Sequence, residues 1–159
     1  MVSADQIKER VDRALSLLGT RDSFLLERRA HERSITHKLA EYLQQEFPGY
    51  NVDCEYNLHG PLPKRLFRVC KGNDQELVYP DIVVHQRGND DSNLLVIEAK
   101  TRKRPGVPTC DRIKLEEFTK VDGDYRYQFG LFIGFDELRD PQLVWFENGR
   151  AEAPNSLPA

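Results

Sequence analysis

The sequence predicts a single α/β domain of the α+β kind, a mixed central sheet flanked by helices, over residues 1–150. Three observations lead to it. Two amphipathic helical stretches precede the first strand. Two β-branched and aliphatic runs, Tyr79–Val84 and Leu94–Lys100, stand either side of a turn-forming stretch. A further helix then separates them from a strongly apolar run, Tyr127–Phe135. A hairpin followed by a helix that crosses over to a buried strand requires a mixed sheet with helices packed on it. The 159 residues suffice for one real core. With 39% hydrophobic and 31% charged residues, the composition is globular and not that of a disordered chain. No apolar run reaches membrane-spanning length, and no signal-peptide core follows Met1, so a cytoplasmic protein without membrane association is expected. Cys54, Cys70 and Cys110 are odd in number with no CxxC pair, and are expected as free thiols.

Taken in order, Ser3-Ala4-Asp5-Gln6 reads as a capping box, and Ile7, Val11, Leu15 and Leu18 share one helical face before Gly19. This first helix, over 1–20, packs against the body of the domain or docks a protein partner or a second copy of the chain. The core spans 22–147. A second helix runs from Asp22 or Ser23 to Phe47, stopped by Pro48-Gly49, with Leu25, Ile35, Leu39 and Leu43 as its apolar stripe. At about 100° per residue, Glu32 falls within roughly 20° of Leu25, Leu39 and Leu43, which sets a carboxylate in the buried face. The ordinary reading of such a residue is a pair with Arg28 or Arg29.

Tyr50–Asn57 alternates as a strand, and Leu66–Cys70 is a further strand after the turn at His59–Pro63. Gly88–Asn93 closes a hairpin between the two aliphatic runs. Asp111 to about Val121 is a helix, Tyr127–Phe135 and Leu143–Glu147 are strands, and residues 151–159 are expected as a disordered tail. Net charge is −3, so no global basic signature exists. Two clusters are locally basic, one with Lys64, Arg65 and Arg68, the other Lys100 with Arg102, Lys103 and Arg104. Such clusters can track phosphates, although the ordinary reading is a solvated surface.

The aliphatic runs carry charge where strands should be apolar. Asp81 follows Pro80 at the opening of the first, and Glu98 and Lys100 project together from the second while Ile97 and Ala99 face the other way. Charged groups are rarely buried without a partner or a metal. Two carboxylates on paired strands suit a hard cation such as Mg²⁺, with the Ala99 backbone carbonyl as a further oxygen. A lysine beside such an ion can bind phosphate or steer an attacking water.

Pro80-Asp81 with Glu98-Ala99-Lys100, preceded by a helical Glu32, resembles the PD-(D/E)XK nuclease superfamily over roughly residues 22–147. The resemblance implies a restriction-endonuclease-like αβββαβ core and a nuclease that hydrolyses phosphodiester bonds, in DNA more than RNA. It implies Mg²⁺, replaceable by Mn²⁺, held by Asp81, Glu98 and the Ala99 carbonyl. Lys100 would activate water, and Glu32 would assist as ligand, directly or through water. Lys114, in the following helix, would contact phosphate. No separate recognition domain is evident, so the alternative is a non-catalytic module of the same fold that binds nucleic acid or a protein. His85 shares strand parity with Asp81, but an exposed strand end is its ordinary reading. His31 and His37 read as helix-surface residues, and Tyr125, Tyr127 and Trp145 as core. The spacing of Cys54, His59, Cys70 and Cys110 fits no zinc site.

Overall fold

A computed structural model describes residues 3–28, 30–67, 75–101, 106–135 and 140–153. Helix α1 (Ala4–Arg21) starts with the expected capping box, Ser3 and Gln6 bonding each other's backbone N–H groups. It runs through Gly19 and buries Ile7, Val11, Ala14 and Leu18. Its apolar face is therefore used inside the domain. The second expected helix is two helices, α2 (Ser23–Glu27) and α3 (Glu32–Glu46). Arg28 leaves helical geometry and His31 is extended (φ −54°, ψ 136°), its Nδ1 accepting from the Arg33 N–H to cap α3. This break moves Glu32 from mid-stripe to the first turn of α3, where a carboxylate complements the helix dipole.

Six strands form the main sheet. They are β1 (Asn51–Cys54), β6 (Ile82–His85), β7 (Leu95–Thr101), β8 (Phe129–Phe135), β9 (Gln142–Glu147) and β10 (Arg150–Ala151), adjacent in that order. Between β1 and β6 the chain makes two small sheets, β2 (Leu58–His59) with β3 (Leu62–Pro63) and β4 (Arg65–Phe67) with β5 (Gln75–Leu77). The strand expected at Leu66–Cys70 is thus β4, off the main sheet, and Cys70 lies outside the described residues. Strands β6 and β7 pair antiparallel in the register Ile82↔Ile97, as the hairpin predicts. Helix α4 (Thr109–Thr119) then returns the chain to β8, which lies parallel to β7. All other main-sheet pairs are antiparallel, so the mixed sheet is as expected. Of the tail expected over 151–159, Ala151 pairs with Phe146 and Glu152 bonds Lys8 of α1 at 2.7 Å, and residues 154–159 lie outside the described residues.

Two cores follow from strand alternation. On one face Leu95, Ile97 and Ala99 meet α1 and α3 through Ile7, Leu39 and Leu43. On the other, Val96, Val83 and Phe132 meet Leu115 and Phe118 of α4. Trp145 belongs to the first core and Tyr125 and Tyr127 to the second, as read from the sequence. Cys54 is a free thiol, whereas Cys110 is disulfide-bonded, which corrects the free-thiol expectation at that position.

Candidate functional site

The site lies where β6 begins and β7 ends. Glu98 projects from β7 toward α4 and is fully buried. Lys100 shares its face one step further along, its side chain 31% exposed. Asp81 immediately precedes β6, and one more step of the β6–β7 register sets it opposite Glu98. Its Oδ2 accepts from the Ala99 N–H at 2.7 Å and stands 3.8 Å from Lys100 Nζ. Glu32 reaches the same corner from the first turn of α3. Its Oε1 accepts from Lys100 Nζ at 2.9 Å and its Oε2 from the Thr101 N–H at 3.1 Å. In a strand, a residue's N–H and C=O point to the same edge, so the Ala99 carbonyl also faces the edge beyond the start of β6.

The structure brings the sequence-predicted Glu32, Asp81, Glu98 and Lys100 together. The oxygens of Glu32 are engaged by Lys100 and Thr101, and among the described residues no three His, Cys, Asp or Glu side chains are grouped to hold one ion. Asp81, Glu98 and the Ala99 carbonyl remain as oxygen donors. That set fits a hard cation that keeps several waters. A further observation agrees: Glu98 Oε1 is buried and has no hydrogen-bond partner among the described residues, in a position where buried polar atoms are normally satisfied.

Helix α4 adds two groups. Lys114 Nζ donates to Glu98 Oε2 at 2.9 Å and lies 3.6 Å from Asp111 Oδ1, and Asp111 is itself 4% exposed. Lys114, expected at phosphate, is therefore seated among carboxylates. Burial pushes the Glu98 carboxyl up to about 8, against the pull of Lys114 and with the charges of Asp81 and Asp111 adding to the rise. Burial also raises Asp81, although the Ala99 N–H and Lys100 oppose it. Burial works to lower both ammonium groups, but the carboxylates outweigh it: Asp81 and Glu32 raise Lys100, and Glu98 raises Lys114.

The basic clusters are placed unevenly. Arg65 is exposed, but Lys64 is 1% exposed, its Nζ bonded to the Leu58 carbonyl and 4.6 Å from the Tyr56 ring centroid. The hairpins between β1 and β6 enclose it, so it is no surface cation, and burial lowers it to about 8. Arg68, Arg102, Lys103 and Arg104 lie outside the described residues. His85 is buried, not exposed, its Nε2 2.9 Å from Asp53 Oδ2 at the far end of β6 from Asp81. Sequence reasoning missed one feature near the site. A cleft of about 290 Å³ adjoins Glu32 and Asp81 and is walled by His31, Arg33, His37 and Glu55. The available signal for His31, Arg33 and His37 was their position near Glu32 in the chain, which became a signal only once Glu32 began a helix, and nothing in the sequence marked Glu55.

Fold and geometry together define a mixed α+β domain with a carboxylate–lysine cluster at the open end of its central hairpin. Compared with protein-family models, curated proteins and solved structures, the chain matches none.

Proposed function

We propose that this chain is a Mg²⁺-dependent nuclease of the PD-(D/E)XK type, with Mn²⁺ able to substitute, which hydrolyses phosphodiester bonds in DNA in preference to RNA. The observation that carries this reading is the buried Oε1 of Glu98, without a partner among the described residues, in one corner with Asp81 and Lys100. The main-sheet order α3, β1, β6, β7, α4, β8 supports it, being the αβββαβ succession that the resemblance implies.

A bound divalent ion would supply a polarised phosphate oxygen and a water of lowered pKa. Asp81, Glu98 and the Ala99 carbonyl are the donors that would hold it. The Ala99 N–H fixes the Asp81 carboxylate, so that oxygen needs no reorganisation on binding. Lys100 presents an ammonium to a phosphate oxygen or to the attacking water, and Glu32, itself held by the Thr101 N–H, sets its position. Glu32 is on this account a positioning residue. Arg33, which lines the cleft beside Asp81 and pairs with Glu55 at 3.0 Å, offers a cation along the approach.

Purified protein incubated with DNA or RNA in Mg²⁺ or Mn²⁺ should cleave DNA, while Asp81→Ala and Lys100→Ala should not. Equal cleavage by wild type and both variants would mean a contaminating activity and end the proposal. A second reading, a non-catalytic module of the same fold, is favoured by the carboxylates already being matched by Lys100 and Lys114. Calorimetry with Mn²⁺ separates them: a nuclease binds the ion and loses it with Glu98→Gln, whereas a module with a structural ion pair binds none.

A further inference from the structure

The position of Lys114 has a consequence for how a cation could enter. Its ammonium contacts Glu98 Oε2 at 2.9 Å and sits 3.6 Å from Asp111 Oδ1. Both carboxylates are buried, and each has a second oxygen, Glu98 Oε1 and Asp111 Oδ2, without a hydrogen-bond partner among the described residues. Two acids that deep demand a positive charge, and Lys114 provides it from the next helix. We infer that Lys114 is a resident counter-cation of the site, which must leave Glu98 when a divalent ion binds there.

This rests on the metal-dependent reading above and adds a competition to it. An ion bound at Glu98 would stand within a few ångström of the ammonium, where like charges repel strongly in a poorly hydrated pocket. Lys114 has somewhere to go, because its side chain is 20% exposed and can swing outward, away from both buried acids. Moved off Glu98, the ammonium becomes available to the phosphate of an incoming strand. The site then binds its ion and its phosphodiester in a linked manner, since each gives Lys114 a reason to occupy its new position. Lys100 also lies 3.8 Å from the donor Asp81, but its 2.9 Å bond to Glu32, which is not among the ion's donors, keeps it in place.

The test is lysine footprinting of the full wild-type chain. An amine-acetylating reagent is applied with and without Mn²⁺, the sites are quantified by mass spectrometry, and binding of Mn²⁺ is followed in parallel by loss of the free-ion paramagnetic resonance signal. Lys120, paired with Glu117 on the far end of α4, is the internal standard. Acetylation of Lys114 should rise about tenfold as the ion saturates, the loss of one charged hydrogen bond, while Lys120 is unchanged. Saturable Mn²⁺ binding with no change at Lys114 would overturn this inference alone. Absence of Mn²⁺ binding would overturn it together with the metal-dependent reading.

Discussion

On the proposed nuclease reading, Glu32, Lys100 and Glu98 divide the work of the site in ways that single substitutions can separate. Glu32 touches Lys100 and the Thr101 N–H, not the donors proposed for the ion. Glu32→Gln should therefore lower the cleavage rate about 10- to 100-fold, as loss of an orienting partner does, with Mn²⁺ affinity unchanged by calorimetry. Glu98 behaves differently because its carboxyl is held up to about 8 by burial. An ion needs that proton gone, so Mn²⁺ affinity should climb as pH rises toward about 8 and level off above it. Stability has the opposite slope. The folded state keeps the proton over a window in which the unfolded chain has lost it, so metal-free stability falls as pH rises from the ordinary carboxylate range to about 8. In Glu98→Gln that decline should be absent from urea melts taken across the same range. A decline of equal size in the variant would assign it to other groups.

At the scale of elements, α4 packs closely on β8, the parallel neighbour of the strand that bears the site. Gly130 of β8 shows this: a Cβ there would lie 3.1 Å from Thr119 Cγ2, 3.2 Å from Phe146 Cβ and 3.3 Å from Leu115 Cδ2. Gly130→Val should cost about 1–3 kcal/mol in denaturant melts and loosen the seat of Lys114. At the other end of the molecule, Ser3→Ala removes a cap bond from α1 and should cost about 1 kcal/mol without affecting the site. Much of this was readable from the sequence, because the signals were local. The capping box of α1, the β6–β7 hairpin and the crossover to β8 each come from a pattern within one stretch. The break between α2 and α3 was not readable. No proline or glycine marks it, and the apolar spacing of Leu25, Ile35 and Leu39 continues across it, so periodicity alone joined two helices into one.

Across the whole molecule, what escaped the sequence was long-range enclosure. Lys64 stands among cations in the chain, and only the folding of β2 to β5 over Tyr56 reveals it as buried. His85 likewise needed its partner Asp53 from β1, and its pairing across the sheet explains why a polar residue ends a wholly buried strand. Lys64 gives a prediction at this scale. Burial lowers it to about 8, so the folded state sheds its proton before the unfolded chain does, and stability should rise with pH above about 8 toward the ordinary lysine range. Lys64→Met should flatten that rise and stabilise the neutral-pH fold by about 1 kcal/mol, measured as Tm by calorimetry. A drop in Tm would mean that the bond to the Leu58 carbonyl outweighs the cost of burying the charge.

Two backbone amides carry an unusual kind of information. In the middle of β7 the N–H groups bond to neighbouring strands, but those of Ala99 and Thr101 end on the carboxylates of Asp81 and Glu32. They are built-in spectroscopic probes, one on each acid, reporting from the backbone without any label. In amide NMR spectra, cation addition should shift Ala99 strongly and Thr101 little, and Asp81→Ala should leave the Ala99 amide exchanging with solvent while Thr101 stays protected. The two resonances would then distinguish an ion arriving at the sheet from a rearrangement of the helix that guards it.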